Sequence, residues 1–316
     1  MNVVAVVVTY NRKHLLVECL NAILKQTKEV KKIIVVDNNS TDKTYEYLIE
    51  NNLINNSTIH YKKLDKNIGG AGGFYEGIKE CQKYSPDWVW IMDDDTIPTQ
   101  SCLEELINSI KKIDGKISYL ASSIYGEKGE FMNVPTINDD KNMNGYPNWY
   151  KYLKNGIVKI KIATFVSIMI NNNAIKKVGF PYKDYFIWGD DVEYTLRLNK
   201  YYGDSYMIGN SVAIHKREVA SSLSIVTEIN NKRIDFYYYM IRNNLINYFV
   251  YFGKKKMLKY LINNQLISIK LLFNIKCKYR VKKFFIIHKG ILSFIFGQYD
   301  KKAFKNRLST DVIYIK

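Results

Sequence analysis

The sequence predicts an α/β protein, a mostly parallel sheet flanked by helices, followed by a basic helical extension. Three observations carry this. Short continuous apolar runs alternate with segments of helical spacing through the first 92 residues. Those runs end in polar clusters, and in open α/β sheets ligands bind beyond the carboxyl ends of the strands. Positive charge is concentrated late: residues 251–316 hold 16 Lys and Arg against only Asp300 and Asp311, whereas the first 250 hold 31 bases against 28 acids.

The elements follow in order. Residues 3–8, Val-Val-Ala-Val-Val-Val, read as a strand covered on both faces. With no basic leader and an apolar core too short for a signal peptide, this start is read as the first buried strand. Residues 13–26 place Leu16, Leu20, Ile23 and Leu24 on one helical side. Residues 32–36 form a second strand ending in Asp37-Asn38-Asn39-Ser40-Thr41-Asp42, where Ser40 or Thr41 is placed to cap a helix running to Asn51. A third strand, 58–64, leads into Asn67 and the glycine-rich loop Gly69-Gly70-Ala71-Gly72-Gly73, then a helix to Lys83. A fourth strand covers 87–92. Residues 126–156 lack periodicity and are rich in Asn, Gly and Tyr, as in long loops or an acceptor-facing flap. One further strand is expected over 160–170, a helix over 190–201, a strand over 206–214 ending at His215, and a Tyr-rich helix over 229–252.

Size and composition bound the function. A chain of 316 residues with 47% hydrophobic content builds a real core. Cys19, Cys81, Cys102 and Cys277 are far apart with no CxxC pair, which argues against zinc or a disulfide framework and fits a reducing compartment. No stretch approaches the roughly 20 apolar residues of a membrane-spanning helix.

Asp93-Asp94-Asp95 directly follows the apolar run Trp88-Val89-Trp90-Ile91-Met92. Adjacent carboxylates repel and are costly to desolvate, and a hard divalent cation, Mg²⁺ or Mn²⁺, offsets that cost. Strand alternation puts Asp93 and Asp95 on one side and Asp94 on the other. The plain alternative is a solvated acidic turn. Glycines let a backbone approach a ligand, and a helix N-terminus attracts anions, although the glycine loop matches neither dinucleotide nor P-loop spacing. Asp190, Asp191 and Glu193 beside Trp188 suit a sugar site in which a carboxylate accepts a hydroxyl proton, although one of the aspartates alone would serve as a helix cap. His215 is placed to complete a metal shell if its strand lies beside Asp93 and Asp95, and is otherwise structural.

Read in order, these features resemble the inverting nucleotide-sugar glycosyltransferases of family 2, with the GT-A fold. The resemblance rests on Val8-Thr9-Tyr10-Asn11-Arg12, Val35-Val36-Asp37-Asn38-Asn39-Ser40, Asn67 with its glycine loop, Asp93-Asp94-Asp95, and Trp188-Gly189-Asp190-Asp191-Val192-Glu193. It covers roughly residues 1–250, and the Asn67 to Phe74 segment is most similar to bacterial galactofuranosyltransferases. It implies donor binding by Thr9, Arg12, Asp37, Asn67, Gly70 and Asp94, metal binding by Asp93, Asp95 and His215, Asp191 as catalytic base, and acceptor binding by Trp188, Asp190 and Glu193. Gly189 departs from the family pattern, in which the Trp often directly precedes the acidic pair. The expected division is a glycosyltransferase domain over 1–250, nucleotide-binding to about 125 and acceptor-binding from 126, with a basic amphipathic region over 251–316.

In that region Leu261, Ile262, Leu266, Ile269 and Leu272 form one apolar face, and Phe284, Phe285, Ile287, Ile291 and Phe294 another. Such helices suit an anionic membrane surface, an expectation that puts the protein on the cytoplasmic face of the cell membrane, beside a polyprenol-linked or other glycan acceptor. The plain alternative is an ordinary packed helical extension with a solvated charged side. The expected reaction moves a sugar, galactofuranose from a UDP-sugar donor first, to an acceptor hydroxyl; dTDP-rhamnose is the alternative donor. A nucleotidyltransferase would need a Gly-rich loop after the first strand, and Thr9-Tyr10-Asn11-Arg12 does not supply it. A nucleic-acid-binding protein would leave both acidic clusters unexplained, because they repel phosphates. Residues 236–244, Phe-Tyr-Tyr-Tyr-Met-Ile-Arg-Asn-Asn, receive no role at this level.

Overall fold

The computed structural model describes residues 1–217 and 223–297. The chain divides into two compact units, Met1–Lys183 with Asp191–Ala220, and Asp184–Asp190 with Ser221–Lys316. The step in charge near residue 250 therefore does not coincide with the division in packing. The basic extension beyond residue 297 lies outside the described residues.

In the first unit the elements run β1 (Val3–Thr9), α1 (Lys13–Leu24), β2 (Lys32–Asp37), α2 (Thr44–Glu50), β3 (Ile59–Lys63), α3 (Gly69–Cys81), β4 (Trp88–Asp93), β5 (Thr96–Pro98), α4 (Cys102–Ile110), β6 (Ile117–Tyr125), β7 (Phe131–Met132), β8 (Thr136–Ile137), β9 (Ile157–Ile162), β10 (Ile168–Asn171), α5 (Asn172–Val178), α6 (Asp190–Tyr201) and β11 (Asp204–His215). One 11-stranded sheet holds all the strands, in the order β3-β2-β1-β4-β10-β6-β11-β9-β8, with β5 on β11 and β7 on β6. The N-terminal edge, β3-β2-β1-β4, is wholly parallel. Beyond it β10 runs antiparallel to both β4 and β6, and β11 rejoins β6 in parallel.

β1 is central and buried throughout, which is why its valines are continuous rather than alternating. Val3, Ala5 and Val7 face one core with Leu16, Leu20 and Leu106; Val4, Val6 and Val8 face the other with Phe74 and Ile78. Each such fully buried side chain contributes roughly 1.5–3 kcal/mol.

Four expectations are corrected. The glycine-rich segment is not a loop: Gly69 starts α3, and the following glycines lie in its first turns. Gly73 and Gly77 let that helix lie close on β1, since a Cβ there would come 2.5 Å from Val8 Cγ1 and 2.3 Å from Val6 Cγ1. Ser40 and Thr41 do not cap α2, which starts after Lys43 without a side-chain cap. Instead they tie two loops together: Ser40 Oγ accepts from Asn11 N (2.9 Å), and Thr41 N donates to Asn11 Oδ1 (2.7 Å). The single strand expected over 160–170 is two, β9 and β10, because Ala163, Phe165 and Val166 are apolar as core-filling link residues rather than as strand. The helix expected over 229–252 is broken into α7 (Asn231–Ile234), α8 (Tyr237–Asn247) and a π-helical turn, Tyr248–Phe252. Residues 126–156 are mostly irregular, as expected, with only β7, β8 and two short 3₁₀ turns.

The second unit holds α7, α8, α9 (Lys254–Phe273) and α10 (Arg280–Ile295). Its core gathers Ile241, Leu245, Leu271, Ile287 and Ile291, with Leu261 and Phe294 packed against it. Gly290 allows a close approach to α8, where a Cβ would sit 2.9 Å from both Tyr238 O and Ile241 Cβ. The apolar faces are thus not quite those read from the sequence. Ile287 and Ile291 are core, while Leu258, Ile262, Leu266, Ile269 and Phe273 of α9 and Val281, Phe285, Leu292 and Ile295 of α10 are exposed. Both helices are apolar on two sides, and sequence spacing alone does not say which side is covered.

Candidate metal centre and donor pocket

The acidic cluster arises where β4 turns. Asp93 closes β4, and Asp94-Asp95 form the turn into β5. β5 pairs antiparallel with the end of β11, putting His215 opposite Thr96 and so beside Asp95. One donor atom each from Asp93, Asp95 and His215 lie within 4.8 Å of one another. Asp93 and Asp95 do converge as expected, but through a turn rather than through strand alternation.

The donor set fits a divalent cation. Asp95 Oδ1 is buried and receives no hydrogen bond, with His215 Nε2 3.1 Å away. His215 Nδ1 lies 2.8 Å from Asn133 Oδ1, an acceptor. With Nδ1 turned to Asn133, Nε2 is the ring nitrogen that faces the Asp95 carboxylate. Two carboxylates and one imidazole converging in this way suit Mn²⁺ or Mg²⁺. Asn133 holds the far ring nitrogen of His215 and so fixes the orientation of the imidazole; sequence reasoning missed it because it lies in the aperiodic 126–156 segment.

Thr9 and Arg12 hold the turn from the side of β1. Thr9 Oγ1 donates to Asp94 Oδ2 (2.7 Å), and Arg12 Nη1 to Asp94 Oδ1 (3.2 Å) and Asp95 Oδ2 (2.6 Å). Burial, then the Asp95 charge, push Asp93 up; burial also raises Asp94, to about 6, against the pull of Arg12. Asp95 goes the other way: burial works against its charge, but contact with His215 and the charge of Arg12 hold it below the usual carboxylate range. Arg12 stays cationic, since the three aspartates more than offset its own desolvation.

The loop after β2 is equally built. Asp37 is 1% exposed; its Oδ1 accepts from Ser40 N (2.7 Å) and its Oδ2 from the Tyr61 hydroxyl. Asn38, quoted in the sequence but given no role, bridges to the start of α3: its Oδ1 accepts from Ile68 N (2.9 Å) and its Nδ2 donates to Gly69 O (2.8 Å). Asn67 Oδ1 accepts from Gly69 N (2.8 Å). A Cβ at Gly70 would meet nothing within 4 Å, so the space beside it is open.

The remaining predicted residues fall in both units. Asp191, half-buried at the start of α6, accepts at Oδ1 from Val192 N (2.7 Å). Glu193 is 2% exposed and ion-paired with Arg197 (2.8 Å), which also donates to Val178 O and Phe180 O. That commitment makes Glu193 a support of the loop before α6 rather than an exposed contact. In the second unit Asp190 is buried and Trp188 packs against Tyr237, with ring centroids 5.0 Å apart.

Residues 4–179, more than half of the chain, match Glycosyl transferase family 2. The chain is 35% identical over 99 residues to galactofuranosyltransferase GlfT1 of Mycolicibacterium smegmatis, across 31% of this chain and 32% of that protein. It is 37% identical over 95 residues to galactofuranosyltransferase GlfT1 of Mycobacterium tuberculosis, 30% of each. The chain thus spans about a third of the length of the curated relatives it matches. Among solved structures, S. aureus TarS 1-349 in complex with UDP-GlcNAc superposes with a TM-score of 0.58 at 16% identity, over 91% of this chain and 79% of that one. GalNAc-T7 with UDP, GalNAc and Mn2+ gives 0.60 at 13%, over 92% and 55%. At these identities the structural likeness establishes the fold alone. On the family match and this architecture, the chain belongs to glycosyl transferase family 2 and has the GT-A fold.

Proposed function

We propose that the protein is a metal-dependent inverting transferase that moves a sugar, galactofuranose from UDP-galactofuranose first among donors, to a hydroxyl of a lipid-linked or polysaccharide acceptor. The observation that carries it is the convergence of Asp93, Asp95 and His215, whose donor atoms lie within 4.8 Å of one another. The relatives named galactofuranosyltransferase support the choice of sugar, and neighbours solved with UDP support the nucleotide.

In this reading Asp93, Asp95 and His215 hold Mn²⁺ or Mg²⁺, which when bound offsets the charge of the departing diphosphate. Thr9 and Arg12 fix the acidic turn by holding both oxygens of Asp94, which supports the ribose or sugar side from within the turn. Asp37, through Ser40 and Tyr61, and Asn67, through Gly69, shape the nucleoside side, and the open space beside Gly70 at the start of α3 favours phosphate. Asp191 takes the proton of the acceptor hydroxyl as that oxygen attacks the anomeric carbon opposite the leaving group. Trp188 offers the acceptor ring an apolar face, with Asp190 and Glu193 fixing its surroundings.

Docking on the inner face of the membrane belongs to the same reading. The exposed stripe Leu258, Ile262, Leu266, Ile269 and Phe273 recurs at helical spacing beside exposed Lys254, Lys255, Lys259 and Lys270. No described helix is long and apolar enough to cross a membrane. A helix of this kind lies in the headgroup layer of an anionic bilayer.

Calorimetry of UDP against dTDP in Mn²⁺ tests the donor. Tighter UDP binding is expected; preference for dTDP would move the donor to dTDP-rhamnose.

A further inference from the structure

Two sequence features have so far had no role: the segment 236–244 and Gly189. The structure joins them. The loop Asp184–Asp190 is strained, with Phe186 (φ 61°), Trp188 (φ 60°) and Gly189 (φ 92°) all left-handed. Two aromatic residues in that region within three positions are rare, and such conformations persist only where the surroundings over-determine them.

Here the surroundings are side chains of α8. Asn243 Nδ2 donates to Trp188 O (2.7 Å), Tyr185 O (2.9 Å) and Ile187 O (3.2 Å). Asn247 Nδ2 donates to Gly189 O (2.8 Å), while its Oδ1 accepts from the Tyr185 hydroxyl (2.8 Å). Arg242 Nη2 donates to Asp184 O (2.7 Å). Arg242 also sends Nε (3.0 Å) and Nη2 (2.9 Å) to Asn243 Oδ1. Guanidinium is a donor only, so Asn243 must turn its oxygen to Arg242 and its amide to the loop. All three polar side chains are at most 5% exposed. Gly189 fits the same device, since a Cβ there would sit 3.1 Å from Asn243 Cβ at a φ that side chains rarely adopt. The aromatic part of the segment completes it: Phe186 stacks on Tyr239 (4.8 Å) and Trp188 lies against Phe236 (6.3 Å) and Tyr237 (5.0 Å).

The geometry points to Asn243, oriented by Arg242, as a positioning residue for the acceptor side of the reaction. It holds Trp188 and the backbone leading in sequence into Asp191, and it touches neither substrate nor metal. This rests on the acceptor-side roles given to Trp188 and Asp191 above.

Asn243→Asp removes the donor and keeps a partner for Arg242; Gly189→Ala disturbs the same contact from the loop. Both are compared with the unaltered chain and with Asp191→Asn. The readouts are acrylamide quenching of Trp188 (taken as the difference from a Trp188→Phe chain), Mn²⁺-dependent UDP affinity, and the kcat and donor KM of UDP release from UDP-galactofuranose. Each clamp variant is expected to raise Trp188 quenching and lower kcat about tenfold or more, as small misplacement of reacting groups does, with UDP affinity and donor KM within about twofold. Unchanged quenching, or UDP affinity falling in step with kcat, overturns the clamp and leaves an ordinary core contact. If Asp191→Asn releases UDP as fast as the unaltered chain, the proposed chemistry fails instead, and the quenching data still decide whether Asn243 holds the loop.

Discussion

The acidic turn in the first unit and the Trp188 loop in the second are both frustrated, in different ways. In the turn the frustration is electrostatic: Asp93, Asp94 and Asp95 are adjacent, desolvated and partly offset by Arg12. In the loop it is conformational, in Phe186 and Trp188, and is offset by neutral amides on α8. The lesson is one of range. A charge problem is solved by bringing strands together, so its members come from β1, β4 and β11; a backbone problem is solved by one helix whose side chains reach successive carbonyls. The first should respond to metal and pH, the second to hydrogen-bond donors.

The largest break comes at the base. Asp191→Asn should lower turnover by about 10²–10⁴-fold, the usual worth of a positioned general base, and leave Mn²⁺-dependent UDP binding nearly intact. Equal loss of both would place Asp191 on the donor side. Next is Asn133→Ala, which frees the far nitrogen of His215. Mn²⁺ affinity should fall about 10–100-fold, as for other partners of metal-ligating histidines, measured by titration calorimetry. No change would mean that His215 is oriented without Asn133.

The pH response follows from the signs. Asp94 is raised from 3.8 to about 6 and Asp93 is raised as well. For both, the stabilising protonated form is fully present below the unfolded value and is lost as pH rises through the folded value. Asp95, held low, acts oppositely: its contribution is present above the usual carboxylate value and is lost as pH falls through its lowered folded value. The metal-free protein should therefore lose stability at this site from about pH 4 upward, and the rise in Tm on adding Mn²⁺ should be larger near pH 8 than near pH 5. A metal-induced shift equal at both values would contradict the assignment of the turn as ligand. The smallest effect is expected at the surface: Leu266→Glu should weaken binding to anionic vesicles several-fold, leaving Tm nearly unchanged because Leu266 is 52% exposed. Unaltered vesicle binding would remove the α9 stripe from the membrane reading.

Much of the first unit was legible in the sequence because buried parallel strands impose continuous apolar runs, as in β1 and β4. The same signal misled over 160–170, where Phe165 and Val166, in the link from β9 to β10, are apolar because each fills one of the two cores. The candidate ligands were legible because three adjacent carboxylates are rarely free of purpose. Asn133 and Asn243 were not: an asparagine's role depends on what its amide meets, and both partners lie more than 50 residues away in sequence. The two-sided apolar character of α9 and α10 was visible, but which side is covered was set by their packing on α8, on the Tyr248–Phe252 turn and on each other, and could not be read from either helix alone.

The central claim is that Asp93, Asp95 and His215 hold a cation that makes nucleotide binding possible. Calorimetry of UDP with and without Mn²⁺, on the unaltered chain and on Asp95→Ala, tests it most directly. UDP binding that requires Mn²⁺ and is lost in Asp95→Ala is the predicted result. UDP binding that is indifferent to Mn²⁺, or that survives Asp95→Ala with the metal present, would contradict it.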